Sequence, residues 1–364
     1  MKKIVFLYDL YYDFVNNRIT IGGIQTYLSD LIKICLNLNY EVKLFQMGSF
    51  HDVTTLDGLT IEQIQVKPRH YDDFYKFVLS SIDKDVVVLF GTETIVPKDL
   101  KGRKAIGIQH GIYWDKPVRG SKSLLRMYLS KAYRNYKIIQ HIRSLTSLVC
   151  VDYNYVNWLR AETDNVSTKL HIIPNYTKIA PIYEKPKDKV NIIFARRLFD
   201  YRGTRVFTSA AKRILSEYVD INVTVAGSGP DEEYMKNELG SYSNVEFITY
   251  KSSDSLNIHA DKHIAVIPTI GSEGTSLSLL EAMSAQCAVI ASNVGGMTNI
   301  ILDNYNGLMV NAGDAEDLYL AIKRLLDNID DRRRLSLKAY ETVKLAFSYE
   351  RWAEKWTQVL NSEE

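Results

Sequence analysis

The chain has 364 residues, 46% hydrophobic and 24% charged, with a formal net charge of +2. That length exceeds one ordinary core and implies two domains of about 150–200 residues each. Nearly balanced charge and the lack of a binding motif argue against a nucleic-acid partner.

No stretch reaches the roughly twenty consecutive apolar residues of a membrane span. Asp9 cuts short the apolar start Ile4–Tyr8, which reads as a buried first strand and not as an export signal. Further strands are expected at Glu41–Gln46, Val86–Phe90, Lys104–Gln109 and Ser147–Val151. Helical patterns lie between them, the arrangement of parallel strands joined by crossover helices in an α/β fold. Gly22 and Gly23 open the first helix and let a ligand approach its tip; a plain tight turn is an equal reading. His110 stands at the end of Lys104–Gln109. Ligands gather at the carboxyl ends of strands in such sheets, so His110 is a candidate functional residue and Asp115 a lesser one.

From Lys116 to Cys150 there are eight basic residues and no acidic one. Leu125, Tyr128, Leu129, Ala132 and Tyr136 run between them at helical spacing. Such a basic amphipathic helix suits an anionic membrane surface, with Arg126, Lys131 and Arg134 as contacts. A solvated charged face is the alternative. The three cysteines, Cys35, Cys150 and Cys287, have no metal or redox spacing, so buried thiols in a reducing cytoplasm are expected.

A strand ending near Pro174 and a linker containing Pro181 and Pro186 place the domain boundary at 176/177. The second domain, 177–349, restarts the alternation at Val190–Ala195, Asn222–Ala226, Asn244–Thr249, Ile264–Pro268, Ala288–Ser292 and Leu308–Val310. Arg196, Arg197 and Arg202 follow the first of these strands, and their forked donors suit phosphate oxygens. Gly227 and Gly229 read as a structural turn. Residues 350–364 form a final amphipathic helix with Trp352, Trp356 and Leu360 on one face.

The stretch Gly271–Met283 carries the strongest signal. Thr275 or Ser276 is expected to cap a helix whose apolar side is Leu277, Leu280 and Met283. Amides near Gly274, Thr275 and Ser276, lacking helical partners, make an anion site. Glu273 in the loop and Glu281, roughly 8 Å further along the helix axis, frame it. Carboxylates accept paired hydroxyls, so a nucleotide-sugar fits: diphosphate at the helix tip, one acid for each ring.

This Glu-x7-Glu spacing, with Ala288–Gly296 and Asn306–Val310 following in order, resembles the retaining glycosyltransferases of family GT4. The resemblance implies a GT-B fold, two Rossmann-like domains facing each other across a deep cleft. The donor would bind the second domain, the acceptor the first, and the last helix would cross back to the first. Arg197 matches the arginine of the family's Gly-Arg-Leu, Arg202 stands in for the lysine of Lys-Gly, and Arg196 replaces the glycine. Tyr176 departs from the family's Pro-Asn-Gly. The implied catalytic residues are Glu273, His110, Arg197 and Arg202. Glu273 would hold donor-sugar hydroxyls, Glu281 the ribose and His110 the reacting sugar. Gly22 and Gly23 would face the donor phosphates, Tyr250 and Lys251 the base, and Asp115 the acceptor. Retention without metal or other cofactor is implied, by front-face attack with a leaving-phosphate oxygen taking the acceptor proton. The basic face of the first domain suggests a glycan or lipid-linked acceptor in cell-surface polysaccharide or glycolipid synthesis, with the protein cytoplasmic and peripheral at the inner face of the cell membrane. Asp83-Lys84-Asp85 has the Asp-x-Asp form of metal-dependent transferases but precedes a strand, so it reads as a turn. The competing readings are a nucleotide-sugar epimerase of the same fold and a catalytically silent partner of an active transferase.

Overall fold

The computed structural model describes residues 2–20, 22–67, 70–111, 123–163, 167–251, 254–271 and 273–362. It divides into two units. Within the described residues, the first takes 2–110, 123–173 and 353–362, and the second takes Gly111 and 174–352.

The first unit contains strands β1 (Lys3–Leu7), β2 (Tyr12–Asp13), β3 (Arg18–Ile19), β4 (Glu41–Gly48), β5 (Asp52–Leu56), β6 (Leu59–Gln65), β7 (Val87–Phe90), β8 (Ala105–Gln109), β9 (Ser147–Cys150) and β10 (Lys169–Ile172). Its helices are α1 (Gly23–Asn37), α2 (Tyr71–Ser81), α3 (Leu124–Ile142) and α4 (Tyr153–Glu162). The main sheet runs β10-β9-β8-β7-β1-β4-β6-β5 and is parallel except for the β5–β6 hairpin. β1, β8 and β9 are buried almost throughout, as crossover helices on both faces require. The β5–β6 hairpin and the small β2–β3 ribbon are additions to the strands expected from sequence. Asp57 and Gly58, both at positive φ, make the two-residue turn of the hairpin. Asp83–Asp85 is a turn between α2 and β7.

The second unit has β11 (Val190–Ala195), β12 (Ile221–Ala226), β13 (Val245–Ile248), β14 (Ile264–Ile267), β15 (Ala288–Ser292) and β16 (Leu308–Val310). Helices α5 (Thr204–Glu217), α6 (Glu232–Leu239), α7 (Leu277–Ser284), α8 (Ala315–Asp327), α9 (Ile329–Ala346) and α10 (Tyr349–Ser362) follow, the last ending in the first unit's share of the chain. All six strands are parallel, in the order β13-β12-β11-β14-β15-β16. Period-two alternation splits their side chains between two cores. Ile192 and Phe194 pack with Phe207, Ile214 and Leu318. Ile193 and Ala195 pack with Leu280, Met283, Ala339 and Val343. Each large side chain so buried contributes about 1.5–3 kcal/mol by leaving water.

In α10, Trp352 packs on Tyr176 at 4.3 Å between ring centroids. Trp356 donates from its indole to the Tyr27 hydroxyl at 2.7 Å. Tyr176, where the resemblance expects glycine, thus serves as a packing surface. One expectation for α7 fails: Leu277 is exposed, and Leu279, Leu280, Ala282 and Met283 form the buried side. Two adjacent leucines inside an eight-residue helix left the direction of its apolar face ambiguous.

Candidate active site

β11 ends at Ala195, and the next residue is fixed before its side chain matters. The Arg196 amide donates to the Ala226 carbonyl at 2.9 Å, and the Leu198 amide to Ser228 at 2.9 Å. Gly227 (φ 141°) lets this approach happen, because a Cβ there would lie 2.0 Å from the Arg196 carbonyl oxygen. Held so, Arg196 turns inward and donates from Nη2 to Glu273 Oε2 at 2.6 Å. Arg202 also donates to Oε2, and the Thr269 hydroxyl reaches the same oxygen at 3.3 Å. Arg196 and Glu273 are buried. Burial lowers both arginines to about 10, with Arg196 adding to the effect on Arg202. Both remain cations at neutral pH.

Arg197, expected at the diphosphate, takes no part in holding Glu273. Glu273 is gripped by Arg196 and Arg202, while Arg197 is exposed with its guanidinium 5.7 Å from the Phe199 ring centroid. Arg202 stands where expected. The residue that replaces the family's glycine is the buried member of the pair.

The loop before α7 is held from its carbonyl side. Glu273 O accepts from the Gly296 amide at 2.9 Å, and Thr275 O accepts from Asn175 Nδ2 at 2.8 Å. Ser276 is the N-cap residue, but its hydroxyl does not cap α7; Oγ is buried with no partner among the described residues. The expected hydroxyl cap is therefore absent because that side chain packs inward. The first amides of α7 carry no side-chain cap, and the dipole adds partial positive charge beside Gly274 and Thr275.

Glu281 lies in the second turn of α7. Burial pushes its carboxyl up to about 7, against a hydrogen bond from Ser255 that lowers it. Tyr250 is its neighbour: burial, then the charge of Glu281, raises the phenol to about 12, while Arg196 pulls the other way. Tyr250 is thus in electrostatic reach of both Glu281 and the Arg196 cluster. Lys251 is exposed beside it.

Gly22, Gly23 and His110 belong to the first unit. Gly22 is the N-cap of α1 and Gly23 its first residue. His110 follows β8, its ring edge-on to Tyr27 at 4.9 Å. Burial lowers it to about 4, so the imidazole is neutral at pH 7; Nε2 has no partner among the described residues. Asp115 lies outside the described residues, as do Lys116, Arg119 and Lys122 of the basic run.

Sequence reasoning missed two participants, Asn175 and Thr269, and a buried acid of the first unit, Glu93. Asn175 was read only as part of a linker, yet its amide fixes the Thr275 carbonyl. Thr269 completes the shell of Glu273. Glu93, in a 3-10 turn after β7, is fully buried; desolvation raises it to about 8, and Oε1 has no partner among the described residues. Its place at a strand's carboxyl end is the same signal that singled out His110.

α3 carries the basic run. Leu125, Tyr128, Leu129, Tyr133 and Tyr136 are 58–69% exposed. Arg126, Lys131, Arg134 and Lys137 are exposed among them, and Lys137 sits 4.7 Å from the Tyr133 ring centroid. The helix is anchored by buried Asn135, Ile139 and Ile142. Among the described residues no helix is long and apolar enough to cross a membrane, and no group of His, Cys, Asp or Glu has the arrangement of a metal site.

Two largely parallel sheets, with an anion-ready helix tip between a buried acid and a second acid one turn on, define a GT-B glycosyltransferase. Residues 175–342 match the family described as glycosyl transferases group 1. Over those residues the chain is similar to the sugar transferases of that group, and its Glu-x7-Glu run is GT4-like. It is similar to an uncharacterised glycosyltransferase of Methanocaldococcus jannaschii, 23% identical over 93% of this chain and 94% of the relative. Among solved structures it is similar to sucrose-phosphate synthase from Thermosynechococcus elongatus, with a TM-score of 0.78, 17% identity and coverage of 100% and 99%. It is also similar to Anabaena HepE in complex with UDP, with a TM-score of 0.76, 13% identity and full coverage of both chains.

Proposed function

We propose that the protein is a retaining, metal-independent glycosyltransferase that takes a sugar from a nucleotide-sugar to a glycan or lipid-linked acceptor. The observation that carries this reading is Glu273, locked by two arginines at the mouth of α7, with Glu281 beyond it in the same helix. The diphosphate would sit on the amides at Gly274–Ser276, with Arg202 and the exposed Arg197 neutralising charge as the leaving group departs. Glu281 would bind the ribose, and Tyr250 and Lys251 would lie beside the base. Glu273 Oε2 is filled by three donors, so Oε1 would take the donor sugar's hydroxyls. Neutral His110 would offer a hydrogen bond to the reacting sugar without adding charge, and Gly22 and Gly23 would admit the phosphates to the tip of α1. A leaving-phosphate oxygen would accept the acceptor's proton on the front face, with no cofactor.

α3 supports an acceptor held at an anionic membrane surface. Its Leu and Tyr side chains would enter the headgroup boundary while Arg126, Lys131, Arg134 and Lys137 meet lipid phosphates. Work in cell-surface polysaccharide or glycolipid assembly at the inner membrane face would follow. The test is the anomer formed in the presence of excess chelator. A retained anomer at unchanged rate agrees with the proposal; inversion, or loss of turnover restored by metal, contradicts it.

A further inference from the structure

The charges around Glu273 do not balance. Two guanidiniums, those of Arg196 and Arg202, share one carboxylate oxygen, and the exposed Arg197 adds a third cation nearby. The other groups that bear on Arg196 are the phenols of Tyr250 and Tyr201. Arg196 is buried to 6% exposure, and its Nη1 has no partner among the described residues. A buried cation with a spare donor is costly unless an anion joins it. The protein nevertheless builds this arrangement rigidly: the Arg196 backbone is clamped to β12, and its Nη2 is spent on Glu273.

We propose that Arg196 reads a carboxylate on the donor sugar, so that the preferred donor is a nucleotide-linked acidic sugar such as a uronic acid. The inference rests on the reading above in which Glu273 faces that sugar. A cation 2.6 Å from the acid that takes sugar hydroxyls stands on the sugar's side of the site. A neutral hexose would leave its Nη1 without an acceptor and the two guanidiniums sharing a single carboxylate. A carboxylate matches the guanidinium fork and restores neutrality. The diphosphate has its own partners in the α7 amides, Arg202 and Arg197. Because a phosphate and a sugar carboxylate are both anions, the experiment must separate them.

Calorimetry on the full chain does so with matched ligands: UDP, UDP-glucose and UDP-glucuronate, then GDP, GDP-mannose and GDP-mannuronate. The wild type is expected to bind the acidic donor at least tenfold more tightly than its neutral partner. Arg196→Gln should abolish that preference and change the affinity for bare nucleoside diphosphate by less than about threefold. Arg196→Lys, which keeps the charge without the fork, should retain a reduced preference and guards against a folding defect in the first variant. Equal affinity for neutral and acidic donors overturns this inference and leaves the transferase reading intact. A comparable loss of bare diphosphate affinity in Arg196→Gln also overturns it, because the anion is then the phosphate. If no nucleoside diphosphate binds, bare or sugar-linked, the underlying reading fails with it.

Discussion

Arg196 Nη2 lies 2.6 Å from Glu273 Oε2, and both side chains are buried. The pair joins the end of β11 to the loop before α7, so the acid expected to read the sugar is set by a residue 77 positions away in sequence.

Removing the acid should hurt more than removing one base. Glu273→Ala leaves the buried Arg196 and the half-buried Arg202 without their shared acid, and breaking a buried pair costs about 3–5 kcal/mol. Arg196→Met leaves Arg202 and Thr269 on Glu273 and should cost less. Chemical denaturation of both variants is expected to place Glu273→Ala clearly below Arg196→Met; the reverse order would show that the cluster is not held by charge.

The Asn175 amide positions the anion-binding loop without touching the donor. Asn175→Ala removes one hydrogen bond to the Thr275 carbonyl, worth about 1 kcal/mol. Donor affinity should fall about five- to tenfold. Asn175→Asp should fall further, since a carboxylate repels that carbonyl. Titration with nucleoside diphosphate measures both.

The pH dependence follows from Glu281, raised by burial to about 7. If its carboxylate holds ribose hydroxyls, affinity for nucleoside diphosphate should rise from pH 6 to 8 as ionisation goes from about one tenth to nine tenths. Neutral His110 and Tyr250 do not titrate in that window. For stability the sign is opposite. A carboxyl raised above its unfolded value stabilises most below pH 4.5, and that contribution is lost as pH climbs through about 7. Glu93, raised to about 8, acts in the same direction in the first unit. Glu281→Gln should flatten the affinity profile and lessen the loss of stability; calorimetry and denaturation across pH check each.

Flotation with anionic vesicles tests α3. Leu125→Glu with Leu129→Glu should abolish co-flotation at physiological salt. Charge reversal of Arg126, Lys131 and Arg134 should abolish it as well, and high salt should weaken the wild type. Retained flotation in both variants would remove membrane contact from the account.

Much of this was legible in the chain. β14 is a continuous apolar run, and the loop Gly271–Ser276 announces itself by small residues before an apolar helix. Arg196 was a candidate in the chain, but its inward turn onto Glu273 was not legible. β11 alternates, with Ile193 and Ala195 facing α7, and continuing that alternation would send Arg197 inward instead. The chain leaves the strand pattern at Arg196, and only the Gly227 turn pressing on its carbonyl reveals which arginine turns in. Asn175 was hidden for a different reason: its partner is 100 residues distant. The β5–β6 hairpin was readable, since Asp57-Gly58 is a hairpin turn signal and Leu59 and Ile61 alternate with polar residues.

The central claim is that the tip of α7 and its two acids hold a nucleotide-sugar. Calorimetric titration of nucleoside diphosphates and their sugars into wild type, Arg202→Met and Glu281→Gln tests it most directly. Saturable one-to-one binding by the wild type, weakened at least tenfold in each variant, is expected. Failure of every nucleotide to bind, or binding that neither substitution changes, would contradict it.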